Sequence, residues 1–220
     1  MNVRWLASFP KSGNTWVRVF LANLLARKAR ALTLEEVNHM PFYTDALPPT
    51  HPAKVFYGKA HKAYNKDLHG TLPAVYIVRD PVDIVPSAAD FFGVSVDRMS
   101  REVAKDWPRH IQSWWGHLGL ILKYENMPAN FHALVQEFKE LPDDFERVST
   151  AICHSNFVNL KADEAKNGFA EASDKGGAFF RHGKPGNGRE ILTDRQVQRI
   201  INGCGEVYTK FGYGDHSNGA

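Results

Sequence analysis

Short apolar runs alternate along the chain with longer segments in which apolar residues recur at helical spacing. The apolar runs predict four strands, because each is of strand length and is bounded by turn or charged residues. These strands cover residues 3–9, 54–58, 74–78 and 118–124. The remaining periodic segments predict helices that follow residues 13, 33, 80, 95, 127 and 193. Strands that alternate with helices are typical of the α/β class, so we predict a mostly parallel central sheet flanked by helices.

Local signals define where several of these helices begin. Thr33 and Glu36 form a capping-box pattern, and Thr193 opens a similar pattern before the last helix. Pro81 suits the first turn of a helix. Pro86 lies inside the same predicted helix, and we expect it to kink that helix or to shorten its first turn, because proline donates no backbone hydrogen bond.

A glycine-rich stretch precedes the last predicted helix. Glycine adopts backbone conformations that other residues avoid, so such a stretch is typical of a mobile loop. We therefore predict one domain over residues 1–220, with a mobile closing loop over residues 168–190. The six glycines of this stretch occupy positions 168, 176, 177, 183, 186 and 188.

Composition narrows the function classes. The chain has 220 residues, 43% hydrophobic and 23% charged, which is ordinary for a globular protein and sufficient for a full core. A net charge of +3 indicates local anion binding rather than a nucleic-acid track. With two cysteines, a disulfide framework is excluded and a cytoplasmic location is favoured. No apolar stretch reaches membrane-spanning length, and residues 5–9 are too short for the core of a secretory signal, so we expect no membrane partner.

The turn after the first predicted strand carries the first chemical signal. It reads Pro-Lys-Ser-Gly-Asn-Thr-Trp over residues 10–16 and leads into a helix. Backbone N–H groups at a helix N-terminus bind anions, Lys11 adds a positive charge, and Ser12 and Thr15 add hydroxyl donors. The turn therefore suits an oxyanion such as a phosphate. No Walker A sequence occurs in the chain. On this motif alone, an ordinary strand–helix turn with a surface lysine stays open.

Residues 9–16 resemble the 5′-phosphosulfate loop of the sulfotransferases that use 3′-phosphoadenosine 5′-phosphosulfate (PAPS) as donor, and further matches follow in the family's order. The family resemblance implies a P-loop-like nucleotide-binding architecture. The loop and the 3′-phosphate motif are the most specific segments, and the collinear order argues against coincidence. The other matching segments are residues 59–61 (catalytic histidine), 76–87 (3′-phosphate motif), 121–127 (adenine-contacting tyrosine), 155–157 (adenine-stacking phenylalanine) and 179–184 (closing loop).

The resemblance implies a catalytic set of Lys11, Lys59 and His61. His61 is expected to act as the general base for the acceptor hydroxyl. Lys11 is expected to neutralise charge on the departing nucleotide, and Lys59 to stabilise the sulfuryl oxygens. The 5′-phosphate is expected to lie on the backbone N–H groups and hydroxyls of the loop, which comprises Lys11, Ser12, Gly13, Asn14, Thr15 and Trp16.

The resemblance also implies contacts to the rest of the nucleotide. Arg79 and Ser87 are expected to hold the 3′-phosphate, since a guanidinium binds phosphate oxygens with two parallel hydrogen bonds. As single residues, Arg79 could equally cap a helix and the aromatics could be core residues. The other expected nucleotide contacts are Trp16, Tyr124, Phe157 and Ser155 around adenine, and Arg181, His182 and Gly183 in the closing loop.

The chain departs from the family pattern at several positions. His182 replaces a common lysine, and residues 186–188 read Gly-Asn-Gly where the family has Gly-Asp-Trp, which questions the packing of the closed loop. The family's C-terminal dimerisation pattern is absent, so the sequence leaves the oligomeric state open. Residues 17–53 form a short connection. We expect an open site for a bulky acceptor, walled by residues 39–43 and 64–69.

Two alternatives remain beside the sulfotransferase hypothesis. A kinase-like phosphotransferase would need a Mg²⁺ arrangement, for which Asp80 and Asp83 are the nearby carboxylates. A nucleotide-binding scaffold with a decayed site would not need the general base. Cysteine and histidine spacing predicts no zinc site, and we expect no metal requirement. The acceptor is expected to be a hydroxyl of a small molecule or of a carrier, such as an alcohol, phenol or sugar.

Overall fold

The five strands form one sheet in the order β2–β3–β1–β4–β5. The computed structural model describes residues 2–26, 28–38, 42–43, 55–175, 177–181 and 183–214. Each pairing among the described strands is parallel, and β1 lies centrally between β3 and β4. The mostly parallel sheet predicted from the sequence is therefore confirmed. The strands are β1 (Asn2–Ser8), β2 (Phe42–Tyr43), β3 (Val55–Ala60), β4 (Ala74–Val78) and β5 (Leu118–Lys123).

Helices follow each long strand and cover both faces of the sheet. Two short 3₁₀ turns, Trp115–His117 and Tyr124–Asn126, flank β5. No helix of the described residues has the length and apolar character needed to cross a bilayer. The helices are α1 (Asn14–Ala26), α2 (Leu34–Asn38), α3 (Lys66–His69), α4 (Pro81–Phe92), α5 (Val96–Trp114), α6 (Met127–Glu137), α7 (Phe145–His154), α8 (Phe157–Asn167), α9 (Asn187–Ile191) and α10 (Asp194–Lys210).

Side chains of the central strands alternate between two cores. On β4, Tyr76 and Val78 pack with α4, α5 and α10, while Val75 and Ile77 pack with α1 and α6. Successive side chains of a strand point to opposite faces, and a parallel strand covered on both faces is apolar throughout. All five residues of β4 are buried accordingly. The helices packed on both faces hold the strands in place. The loops that carry the polar residues begin at the ends of these strands.

Most predicted elements are present, with shifted ends. β1 ends at Ser8, β3 continues to Ala60, and β5 gives way to a 3₁₀ turn at Tyr124. The sequence did not predict α3, α7, α8, α9 or β2; α9 begins inside the segment predicted as a mobile loop. In α7 the buried residues are Val148 and Ala151, and in α8 Leu160 alone is buried.

The two predicted helix caps are confirmed, whereas the predicted shortening of the first turn of α4 is not. Thr33 N donates to the Glu36 carboxylate (2.9 Å) and Glu36 N donates to Thr33 Oγ1 (3.2 Å). A capping box also begins α10 at Thr193. The helix α4 begins at Pro81 and runs through Pro86 to Phe92, so its first turn is not shortened; the alternative, a kink at Pro86, stays a prediction. Only one hydrogen bond is lost, because the missing N–H of Pro86 would have paired with a carbonyl of the first turn.

Candidate active site

A cavity of about 240 Å³ opens at the carboxyl ends of β1, β3, β4 and β5. Ligands of open α/β sheets bind at this end of the strands. The structure brings most of the predicted site residues together here, although they come from distant parts of the sequence. The lining residues are Pro10, Lys11, Gly13, Asn14, Thr15, Trp16, Lys59, His61, Arg79, Ser87, Phe91, Phe92, Tyr124, Phe157, Glu171, Phe179 and Phe180.

The turn between β1 and α1 has a fixed and unusual backbone. Lys11 has φ +66° and Gly13 has φ +99°, both in the left-handed region. A Cβ on Gly13 would lie 2.6 Å from the Tyr124 ring, so glycine is required there. Asn14 Nδ2 donates to the Leu6 carbonyl (2.7 Å) and to Ser8 Oγ (3.2 Å), which ties the start of α1 to β1. The turn is therefore held in one conformation before any ligand binds.

Lys11 is a half-buried cation between two aromatic rings. Its ammonium lies 4.2 Å from the ring centroid of Phe91 and 3.7 Å from that of Phe179. Burial is the main reason that the pKa of Lys11 falls to about 7, and the charges of Arg181 and Arg79 lower it further. Within the described residues no carboxylate lies within 4.0 Å of this ammonium. Its charge is thus available to an anionic ligand.

His61 follows β3 and is oriented by the end of β1. Its Nδ1 lies 3.0 Å from the Ser8 carbonyl oxygen and 3.1 Å from Ser8 Oγ. A carbonyl can only accept, so Nδ1 carries the hydrogen and Nε2 is the basic nitrogen of the neutral ring. The His61 carbonyl in turn accepts from His110 Nε2 (3.1 Å), and His110 Nδ1 lies 2.6 Å from the Tyr76 hydroxyl. Both the ring and the backbone of His61 are therefore positioned.

Glu171 is an acidic residue inside this otherwise cationic site. Its carboxylate accepts hydrogen bonds from Arg18 (2.7 Å to each oxygen), Lys59 (3.1 Å) and Thr15 (3.3 Å). Burial acts to raise the pKa of Glu171, but the charges of Arg18 and Lys59 outweigh it and the pKa lies below its usual value. Neither Glu171 nor Arg18 was predicted from the sequence, because neither belongs to a motif and their contact joins distant segments.

Arg79 and Ser87 border a second, smaller recess. Arg79 Nη1 donates to the Lys11 carbonyl (3.1 Å), and its guanidinium lies 4.1 Å from the Tyr124 ring centroid. Both residues also line a recess of about 50 Å³ that Arg181 and Gly183 share. Arg181 donates to the Pro86 carbonyl (3.0 Å) and pairs with Asp90 (3.3 Å). The three residues expected at a 3′-phosphate therefore meet at one place.

Three aromatic residues line the recesses: Trp16 the larger one, and Tyr124 and Phe157 both. Trp16 packs edge-on against Tyr124 and Phe157, with ring centroids 5.6 and 6.1 Å apart. Trp16 Nε1 donates to the Ser155 carbonyl (2.7 Å). The Ser155 side chain is buried and bonds helix carbonyls, so the structure does not bring it to the cavity. Another expected contact, His182, lies outside the described residues.

Asp83 anchors the end of the predicted closing loop. Its two carboxylate oxygens accept from Gly186 N and Gly188 N, each at 2.7 Å. The sequence analysis weighed Asp83 and Asp80 only as metal-binding carboxylates. Asp80 caps α4 at Val82 N, and burial raises the pKa of Asp80 to about 6. Both carboxylates hold backbone N–H groups, and the described residues contain no cluster of three or more metal-ligating side chains.

The predicted acceptor wall is only partly described. Residues 39–41 and 44–54 lie outside the described part of the chain. Tyr64 stacks on His117 at a centroid distance of 3.7 Å and packs edge-on against Trp114. Residues 64–69 do not line the 240 Å³ cavity. Tyr64 thus packs against the last residue of α5 and the 3₁₀ turn that follows it, and the acceptor wall stays a prediction.

Comparisons with known proteins agree with this geometry. The sulfotransferase domain family matches residues 70–212. Sulfotransferase 1A1 of the dog, Canis lupus familiaris, is 24% identical over 249 residues, covering 91% of this chain and 83% of the relative. Two solved structures share the fold. Mouse sulfotransferase SULT7A1 complexed with PAP has a TM-score of 0.67 and 16% identity, covering 97% of this chain and 85% of that one. Retinol dehydratase in complex with retinol and PAP has a TM-score of 0.65 and 16% identity, covering 99% and 83%.

The family match extends over more than half of the chain, through β4, α4 and the closing segment. It includes Arg79, Ser87, Tyr124 and Arg181, which the structure places around the cavity. The loop at residues 10–16 lies before the matched range but borders the same cavity. On this match the chain belongs to the sulfotransferase family.

Proposed function

We propose that the protein transfers a sulfuryl group from PAPS to a hydroxyl of a small-molecule or carrier-borne acceptor. The observation that carries this proposal is one cavity in which Lys11, Lys59, His61 and Arg79 converge. Two of the structural neighbours contain PAP, the desulfated product of PAPS. The cytoplasmic location expected from the cysteine content stays a prediction.

The residues present fit a donor with two anionic groups. The Ser12 hydroxyl and Arg79 Nε are buried and have no hydrogen-bond partner among the described residues. Buried polar groups are normally paired, so the unpaired donor of Arg79, which lines both recesses, supports a ligand there. Ser12 belongs to the loop at residues 10–16 but lines neither recess. This arrangement supports a 5′-phosphosulfate at the loop and a 3′-phosphate in the recess, with the aromatic residues between them.

The donor supplies the sulfuryl group, and the chain supplies a base and fixed positive charge. His61 Nε2 would accept the proton of the acceptor hydroxyl, since Nδ1 is committed to Ser8. General-base help of this kind contributes about 10²–10⁴-fold in rate. Lys11 would stabilise negative charge on the departing phosphate, and Lys59 would face the sulfuryl oxygens. Buried cations act strongly here because little water screens them.

The first test is calorimetric titration of PAP, with ADP and ATP-Mg²⁺ as competing ligands. We expect wild type to prefer PAP and Arg79→Ala to bind it about 10- to 100-fold more weakly, because a hydrogen bond to a charged group is lost. Arg195→Ala, which changes an exposed arginine of α10, serves as the control. A preference for ATP-Mg²⁺ would favour the kinase-like alternative instead.

A second test addresses the base. We expect His61→Ala to lower sulfuryl transfer to a panel of phenols, alcohols and sugars by about 10²–10⁴-fold. The affinity for PAP should stay near the wild-type value, since His61 contacts the acceptor. His132→Ala alters an exposed histidine of α6 and should leave both quantities unchanged. Wild-type turnover in His61→Ala would remove His61 from the catalytic role.

A further inference from the structure

The carboxylate of Glu171 occupies the anion-binding side of the cavity. Three donors converge on it: Arg18, Lys59 and Thr15, at 2.7, 3.1 and 3.3 Å. A hydrogen-bonded carboxylate with two cations is a stable neutralised cluster. The carboxylate of Glu171 therefore balances part of the positive charge of Arg18 and Lys59 beside the cavity.

Two of the three donors are the ones that the proposed function reserves for the sulfuryl donor. Thr15 is expected at the 5′-phosphate and Lys59 at the sulfuryl oxygens. An N–H or O–H group that binds Glu171 cannot bind an incoming anion at the same time. In addition, two anions at the same place repel each other. The donor and the Glu171 carboxylate therefore compete for Thr15, whose hydroxyl has one hydrogen to donate, and for the positive charge of Lys59.

We propose that Glu171 is a built-in competitor of the sulfuryl donor, whose carboxylate leaves Thr15 and Lys59 when the donor binds. This inference rests on the proposed function and deepens it by naming a residue that sets the donor affinity. No motif of the sequence assigns this role to Glu171.

The position of Glu171 allows the exchange. Its side chain keeps 26% of its surface exposed, so it is not enclosed on every side by the protein. The chain around it is anchored elsewhere: Glu164 accepts from Phe179 N and Phe180 N, and Asp83 accepts from Gly186 N and Gly188 N. Release of Glu171 therefore needs no unfolding of the segment that carries Arg181.

A purely structural ion pair makes the opposite prediction. If Glu171 held Lys59 and Arg18 in place throughout the reaction, neutralising it would disorder these cations and weaken donor binding. If Glu171 competes, neutralising it removes the competitor and strengthens donor binding. The sign of the change in affinity therefore separates the two roles.

The test is calorimetric titration of PAP into Glu171→Gln, which keeps the shape of the side chain and removes its charge. We expect PAP to bind about tenfold more tightly than to wild type, the equivalent of one lost charge-assisted contact. Asp174→Asn is the matched control, because Asp174 is an exposed acid of the same segment. It should change the PAP affinity by less than about twofold.

The outcomes separate this inference from the proposed function. Unchanged or weaker PAP binding by Glu171→Gln, with normal PAP binding by wild type, would overturn the competitor role and leave the sulfotransferase proposal standing. Absence of PAP binding in both proteins would overturn both. A crystal structure of the wild-type PAP complex provides a second measurement that needs no variant. The Glu171 carboxylate should have left Thr15, which is expected at the 5′-phosphate, and retention of that contact would contradict the inference. The contact with Lys59 does not decide the question, because PAP lacks the sulfuryl group that Lys59 is expected to face.

Discussion

At the scale of single residues, Lys11 combines backbone strain with an unneutralised charge. Its φ of +66° is costly for a non-glycine residue, by about 1–3 kcal/mol, and such strain concentrates at functional sites. The ammonium lies against Phe91 and Phe179 rather than against a carboxylate. Burial, Arg181 and Arg79 together lower its pKa to about 7. The surroundings of Lys11 thus disfavour its charged form in the free protein, and an anionic ligand would stabilise that form.

The lowered pKa of Lys11 predicts a proton linkage. An anion at Lys11 should return its pKa toward the ordinary value of 10.5. At pH 8 Lys11 is then mostly neutral in the free protein and charged in the complex, so PAP binding should take up close to one proton. The PAP affinity should fall as pH rises above about 7, by up to roughly tenfold per pH unit. Calorimetry at pH 8 in Tris and in HEPES measures the uptake.

Lys11→Arg is the control for this linkage. Arginine stays charged throughout the range, so that variant should show no proton uptake from position 11. If wild type and Lys11→Arg took up the same number of protons on binding PAP, the lowered pKa of Lys11 would be contradicted.

At the scale of elements, the junction of α4 and α9 connects the predicted closing loop to the sheet. Asp83, in the first turn of α4, accepts the backbone N–H groups of Gly186 and Gly188. A Cβ on Gly188 would lie 2.2 Å from the Val82 carbonyl oxygen, so the backbone approach needs glycine. The departure from the family's Gly-Asp-Trp pattern therefore has a structural reason: residue 188 has no room for a side chain. The aspartate and the close approach together anchor the segment without the tryptophan.

This junction predicts the effect of Asp83→Asn. The amide oxygen can accept one of the two N–H groups, while the amide NH₂ faces the other as a second donor. We expect the free energy of unfolding to fall by about 1–3 kcal/mol, and PAP to bind more weakly because Arg181 lies on the same segment. Urea denaturation and PAP titration measure the two effects. Asp106→Asn, at an exposed position of α5, should change neither, and a similar loss in that variant would contradict the anchoring role.

At the scale of the whole molecule, the cavity is the meeting point of segments that the sheet holds together. Its lining comes from the turn before α1, the end of β3, the helix α4, the residue after β5, the start of α8 and the closing segment. A ligand that contacts all of these segments binds only the folded protein, because the segments come together only in the fold. Its binding free energy then adds to the stability of the fold.

The shared cavity predicts a large thermal shift. PAP at about 100 times its dissociation constant should stabilise the fold by about 2.7 kcal/mol and raise Tm by roughly 5–10 °C. ADP, which lacks the 3′-phosphate, should shift Tm less at the same concentration. Differential scanning calorimetry of wild type and Arg79→Ala measures this. Equal shifts with PAP and ADP would contradict recognition of the 3′-phosphate in the recess.

Local features of the fold and the site could be predicted from the sequence. The strand at residues 74–78 was predicted with its observed bounds, since five buried apolar residues between turn signals leave little ambiguity. The capping boxes at Thr33 and Thr193 were predicted because they depend on residues three positions apart. The helices α7 and α8 were not predicted, although each begins after a capping residue, Asp144 and Asn156.

The sequence by itself determined the alternation of strands and helices, the anion-binding turn and the set of candidate residues, because these depend on neighbouring positions. Only the tertiary structure decided the strand order, the depressed pKa of Lys11 and the place of Glu171. Glu171 lies 156 positions from Thr15 and 112 from Lys59, yet its carboxylate contacts both. No local pattern encodes such a contact, since it exists only once the sheet has brought the ends of its strands together.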